Sequence, residues 1–138
     1  MKPSSLALAL FTLLFAFNAQ ANPARDTILA EFAAEAKATN PAFAGFDAAK
    51  GGAFFTKNHS SGKPETPACT SCHGSTPFAT GQTRAGKPIE PMAVSKNAAR
   101  YTEKKKVDKW FRRNCKSVLG RECSPQEKGD YLAFMISQ

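Results

Sequence analysis

Five consecutive residues carry the densest chemistry in the sequence: Cys69-Thr70-Ser71-Cys72-His73. Two thiols three positions apart, followed at once by an imidazole, form the C-x-x-C-H pattern of covalent haem attachment. The spacing has a chemical reason. Thiols so placed reach the two vinyl groups on one edge of the macrocycle, and the next residue brings an imidazole nitrogen under the iron. Two other uses of paired cysteines compete. A thioredoxin-like redox pair needs its cysteines to open a helix in a βαβ unit, a pattern missing here, and a zinc site needs a fourth donor from far along the chain. The motif therefore predicts one covalent haem c, with Cys69 and Cys72 as the thioether residues and His73 as the proximal iron ligand.

The second axial position is not fixed by that motif, and five side chains are candidates for it: His59, Met92, Asn97, Asn114 and Met135. Met135 belongs to an apolar terminal helix and reads as core. His59 lies in a loop and is expected to be exposed. Asn97 suits a turn or a cap. Met92 follows Ile89-Glu90-Pro91 only nineteen positions after His73, a short path over a haem. Asn114 falls on the apolar face of an expected helix, where an amide without a partner costs about 1–3 kcal/mol in desolvation, and iron is one such partner. Spacing alone leaves Met92 and Asn114 open.

Cys115 and Cys123 remain once the haem has taken the other pair. In an oxidising compartment an even remainder most simply forms a disulfide. So short a loop contributes roughly 2–3 kcal/mol by the loop-entropy model.

An oxidising compartment is itself an expectation from the first residues. Lys2, the apolar run Leu6 to Phe17 and Ala19-Gln20-Ala21 read as an export signal cleaved after Ala21, which leaves one cytochrome domain over residues 22–138 and a periplasmic location. The apolar run is shorter than the ~20 residues that span a bilayer. Nineteen Lys and Arg against eleven Asp and Glu give a formal net charge of +8. An exported protein rarely meets nucleic acid, so the basic balance points to acidic redox partners, with membrane contact only through such a partner.

The elements that position these residues read as helices. Asn22-Pro23 caps a first one, with Ile28, Phe32 and Ala36 at helical spacing until Asn40-Pro41. A second runs from Asp47 to about Lys57, where Gly51 and Gly52 cost roughly 1 kcal/mol each and so imply close packing on another helix. Turn residues fill 59–67 and 74–91. Thr102 is the expected cap of a third helix, with Val107, Trp110, Phe111 and Asn114 on one stripe and Lys104, Lys105, Lys109, Arg112 and Arg113 elsewhere. Gly120 stops it. Ser124-Pro125-Gln126-Glu127 then forms a capping box for a terminal helix to about Ser137. No repeat, second domain or convincing strand is visible. The expected fold is all-α: about four helices around one covalently bound haem, with the Gly51 to Phe55 helix crossing the last helix near Tyr131 and Phe134.

With these residues in view, the chain resembles the sphaeroides haem protein family of small class I c-type cytochromes, related to cytochrome c double-prime. The resemblance covers most of residues 22–138. It is most specific in Val107-Asp108-Lys109-Trp110-Phe111-Arg112-Arg113-Asn114-Cys115 and in Leu119-Gly120-Arg121-Glu122-Cys123-Ser124-Pro125-Gln126-Glu127-Lys128, with Cys69 to His73 and Lys87-Pro88-Ile89-Glu90-Pro91 upstream. It implies that the residue directly before the first disulfide cysteine, Asn114, is the distal ligand of oxidised iron. Cytochrome c double-prime has histidine there, so its imidazole-linked proton chemistry does not transfer.

What the resemblance implies for function is redox-linked binding of oxygen, nitric oxide or another diatomic ligand, with Asn114 released on reduction and another cytochrome, dihaem among the candidates, as electron donor. The alternative is a plain electron carrier with His73 and Met92 as ligands. Reduction of oxygen or a nitrogen oxide ranks last, because no acid and base pair for a distal side is visible; the expectation is a binding and electron-transfer protein rather than an enzyme.

Overall fold

The structure is a computed structural model, and it describes residues 21–138; the expected export signal lies outside these residues except for Ala21. Five helices and one two-stranded ribbon follow in order: α1 (Pro23–Thr39), α2 (Ala48–Thr56), α3 (Thr70–His73), β1 (Gly81–Gln82), β2 (Pro88–Ile89), α4 (Lys104–Leu119) and α5 (Pro125–Ser137).

Local chemistry explains most of the helix ends. The Asn22 side chain accepts from the backbone N–H of Ala24 and Arg25, and Asp47 does the same for Ala49 and Lys50. Ser124 and Glu127 close a reciprocal capping box, with Pro125 in the first turn. Gly120 ends α4 in the left-handed region, φ 70°, with its backbone against Ser61, a place where a side chain would meet the Ser61 carbonyl.

Two expectations fail locally. Thr102 does not cap α4: Glu103 occupies the cap position, and the Thr102 hydroxyl turns back to donate to the Ala99 carbonyl. The stretch 74–91 also contains a strand pair, Gly81 opposite Ile89 and Gln82 opposite Pro88. Two residues per strand are too few to show alternation, so no periodic signal announced it.

The helices assemble around α5, which packs along both α1 and α2. At the α2 crossing, a Cβ on Gly51 would land on the Asp130 carbonyl, and one on Gly52 would press on the Phe134 ring. Only glycine lets the two backbones approach so closely. Buried Asp130 fastens the same crossing by accepting from the Asp47 N–H at 2.7 Å and from Gln126 Nε2 at 2.8 Å. Phe32, Phe55, Leu132 and Met135 fill the centre, and Phe111 joins α4 to this core through edge contacts with Phe32 at 6.0 Å and Tyr131 at 5.5 Å.

The buried seam of α4 is Val107, Phe111, Cys115, Val118 and Leu119. Trp110, expected on that stripe, is 47% exposed. It sits on the flank of the seam, between the cations of Lys109 and Arg113 at 5.6 and 5.7 Å from its rings.

Candidate haem site

Cys72 and His73 lie on the single turn of α3 and Cys69 is its N-cap residue, so both thiols and the imidazole project from one short piece of backbone. Gly81 of β1 packs so tightly on this turn that a Cβ there would strike the Cys72 carbonyl and the His73 backbone. The ribbon β1–β2 therefore braces the motif from one side. From the other, Ala68 donates its N–H to the Ser71 hydroxyl at 3.2 Å.

The electrostatics of the motif fit haem attachment better than a redox dithiol. Burial pushes the Cys69 thiol up to about 11, against a smaller lowering from a backbone hydrogen bond and with a further rise from Cys72. A thiol raised in this way does not suit a redox dithiol, whose attacking sulfur needs ready thiolate. Burial, aided by the Arg100 charge, pushes His73 down to about 4, which keeps the ring neutral with a lone pair to donate. His73 Nδ1 is buried and has no hydrogen-bond partner among the described residues. Those residues also contain no cluster of three or more His, Cys, Asp or Glu side chains set to hold an ion by themselves. A cofactor that brings its own equatorial donors suits this donor set.

The loop before Cys69 is tied to the last turns of α4. The Lys63 N–H donates to the Ser117 carbonyl at 2.8 Å, Gly62 lies against the Ser117 and Val118 carbonyls, and the Ser61 hydroxyl donates to the Leu119 carbonyl at 2.8 Å. The Thr66 and Ser117 hydroxyls hydrogen-bond at 2.9 Å. Asn114 stands on α4 one turn before Ser117, half-buried, and its carboxamide has no hydrogen bond to any described residue. Cys115, next to it, is bonded to Cys123, which pins the end of α4 to the start of α5.

The other axial candidates lie in settings of their own. Met92 is in the core at 6% exposure; its N–H donates to the Pro77 carbonyl at 2.8 Å and its own carbonyl accepts from the Tyr101 hydroxyl at 3.0 Å. Pro77 follows His73 by four residues, so the Met92 backbone runs beside the segment that leaves His73. Met135 is fully buried, and its carbonyl accepts from the Val94 N–H. Asn97 forms a local turn by accepting from the Ala99 N–H at 3.1 Å. His59, expected to be exposed, is half-buried with its ring edge-on to Phe54 at 5.4 Å.

Sequence reasoning missed Thr66, Ser117, Tyr101 and two arginines around the site. Arg25 of α1 donates to the Ala98 and Arg100 carbonyls at 2.6 and 3.0 Å, and Arg100 donates to the Pro91 and Glu90 carbonyls. Arg25, Thr66 and Ser117 bond across long sequence separations, Arg100 and Tyr101 bond nine or ten residues back, and none of them carries periodicity. The one visible sign, an arginine within a helix's apolar register, was Arg25, three positions before Ile28.

Comparison with known proteins agrees with this geometry. The family described as a domain of unknown function (DUF1924) matches residues 41–135. Cytochrome c-type protein SHP of Cereibacter sphaeroides is 45% identical over 130 residues, covering 93% of this chain and 98% of that protein. Cytochrome c'' of Methylophilus methylotrophus is 29% identical over 95% of this chain and 92% of its own length. Among solved structures, oxidised SHP, described as an oxygen-binding cytochrome c, superposes with a TM-score of 0.76 at 43% identity, covering 83% of this chain and 96% of that one. Oxidised cytochrome c'' gives 0.71 at 28% identity, over 83% and 94%. The all-α cytochrome architecture is shared with both. A motif turn built for a covalent macrocycle, in a fold common to these relatives, means that the chain belongs to the sphaeroides haem protein family of class I c-type cytochromes and carries covalently bound haem c.

Proposed function

We propose that this protein is an exported, periplasmic cytochrome that binds a diatomic gas at its haem iron when reduced, with Asn114 as a redox-released distal ligand. Cys69 and Cys72 would hold the haem by thioether bonds and His73 would hold its iron on the proximal side. Bound haem supplies an iron that changes oxidation state and has two axial positions.

The observation that carries the reading is the Asn114 carboxamide: half-buried on α4, one turn from the residue that ties α4 to the attachment loop, and used by no hydrogen bond among the described residues. A neutral amide oxygen is a hard, weak donor that suits ferric iron better than ferrous. On reduction Asn114 would loosen, and its departure would leave room for oxygen, nitric oxide or carbon monoxide. His73, with its Nδ1 buried and without a hydrogen-bond partner among the described residues, would be the donor in both oxidation states. The oxygen-binding relative supports the ligand class.

The electron source would be another cytochrome. Exposed Lys105, Lys109, Arg112, Arg113 and Lys116 line α4, with exposed Trp110 beside them, and this face is suited to an acidic donor. Lys104 is not part of it, being paired with Asp108 at 2.7 Å and Glu31 at 3.5 Å.

Visible spectra of the reduced protein with and without carbon monoxide test the reading. Wild type takes up the gas, Asn114→Ala alters the oxidised spectrum, and Met92→Ala leaves both spectra in place. A reduced wild type that ignores carbon monoxide until Met92 is replaced would establish the plain carrier instead.

A further inference from the structure

Arg100 closes the strap 90–101 and folds back on it, its Nε donating to the Pro91 carbonyl at 3.1 Å and its Nη2 to the Glu90 carbonyl. Carbonyl oxygens orient a guanidinium without neutralising it. None of the ion pairs among the described residues includes Arg100, although its side chain is half-buried. A cation withdrawn from water without a counter-anion is costly, and proteins pair such groups.

The strap fixes where this charge lies. Arg25 grips it through the Ala98 and Arg100 carbonyls, the Tyr101 hydroxyl bonds back to the Met92 carbonyl, and Met92 and Ala93 bond to the Pro77 carbonyl just beyond His73. Tyr101 takes φ 61°, a left-handed backbone that a tyrosine rarely adopts. That reversal is held by hydrogen bonds on both sides, in a strap whose start is tied to the segment just beyond His73.

We propose that Arg100 is a cofactor anchor whose guanidinium, oriented by the Glu90 and Pro91 carbonyls, pairs with a propionate carboxylate of the bound haem. The proposal rests on haem attachment at Cys69 to His73, but not on which residue fills the distal position. The planar fork with Nη1 still unbonded suits a carboxylate better than an ammonium does. A fixed cation beside the cofactor also favours the electron-rich state of the iron, the state in which the proposed function admits a gas.

The test uses the holoprotein and the variants Arg100→Gln and Arg100→Lys, read by potentiometric titration and by the propionate bending mode in the resonance Raman spectrum. Arg100→Gln shifts the propionate mode and lowers the ferrous-to-ferric ratio at a fixed applied potential by roughly tenfold. Arg100→Lys shifts the mode as well, yet keeps most of the ratio because the charge remains. If Arg100→Gln fails to accumulate, the Raman shift in Arg100→Lys decides alone. An unchanged mode in every variant recovered overturns the proposal and leaves Arg100 as a strap staple. Asn114→Ala is the control: it changes the iron's spectrum and leaves the propionate mode where it was.

Discussion

The Thr66 hydroxyl and the Ser117 hydroxyl meet at 2.9 Å, joining the loop three residues before Cys69 to the helix three residues after Asn114. The loop that leads to Cys69 and the helix that carries Asn114, far apart in sequence, are thus held in register by a hydrogen bond between two short side chains. Thr66 is buried, so loss of one partner leaves the other short of a bond. Thr66→Val and Ser117→Ala should each destabilise the holoprotein by about 1–2 kcal/mol in denaturant unfolding, with the double variant losing clearly less than the sum. Additive losses would show that the pair is not coupled.

The α2–α5 crossing ranks two neighbouring glycines. A side chain on Gly51 runs into the Asp130 backbone, whereas one on Gly52 meets the movable ring of Phe134. Gly51→Leu should therefore cost more than about 3 kcal/mol and Gly52→Ala under about 1.5 kcal/mol, measured by thermal melting of the holoprotein. Equal melting temperatures for the two would contradict the close approach at Gly51.

Glu127 gives the stability an acid limb. The Arg121 guanidinium, with bonds of 2.7 and 2.8 Å, and then the Ser124 N–H hold its carboxyl below the ordinary value of 4.5. A carboxylate with a depressed folded pKa stabilises above its unfolded pKa, and that contribution fades as pH falls through the folded value. The stability advantage of wild type over Glu127→Gln should be full above about pH 5.5 and shrink steadily below pH 4.5. Because the pair is largely exposed, the advantage is small, and 0.5 M salt should reduce it. An advantage that grows on acidification would reverse the assignment.

The basic face of α4 should govern association with an acidic electron donor. Lys109→Glu and Arg113→Glu together should slow reduction by such a donor about tenfold or more at low ionic strength and abolish most of its salt dependence. Reduction by dithionite serves as the control and should not change. A wild-type rate indifferent to salt would remove the steering role.

What the sequence disclosed and what it concealed divide along physical lines. The capping box at Ser124 and Glu127, the Asn22 and Asp47 caps and the stop at Gly120 are local, so their residue types announce them. Gly51 was legible because a glycine in a helix interior needs a reason, and close helix contact is the commonest. Trp110 misled because its helical angle lies on the border of the α4 seam, where a ring can rotate outwards between two cations. The cap of α4 moved from Thr102 to Glu103 because the Thr102 hydroxyl found a carbonyl behind it. Thr66 and Ser117, or Arg25 and Arg100, could not be foreseen: their bonds cross between segments or fold a loop back on itself, and a polar residue in a sequence looks the same whether its partner is water or a distant carbonyl.

The central claim is that Asn114 holds the iron only while the iron is oxidised. X-ray absorption at the iron edge, recorded on the oxidised and the reduced holoprotein under anaerobic conditions, tests it most directly. The account predicts a six-coordinate oxidised site with nitrogen and oxygen donors only, falling to five-coordinate on reduction. A sulfur scatterer bonded to the iron in the reduced protein would contradict it.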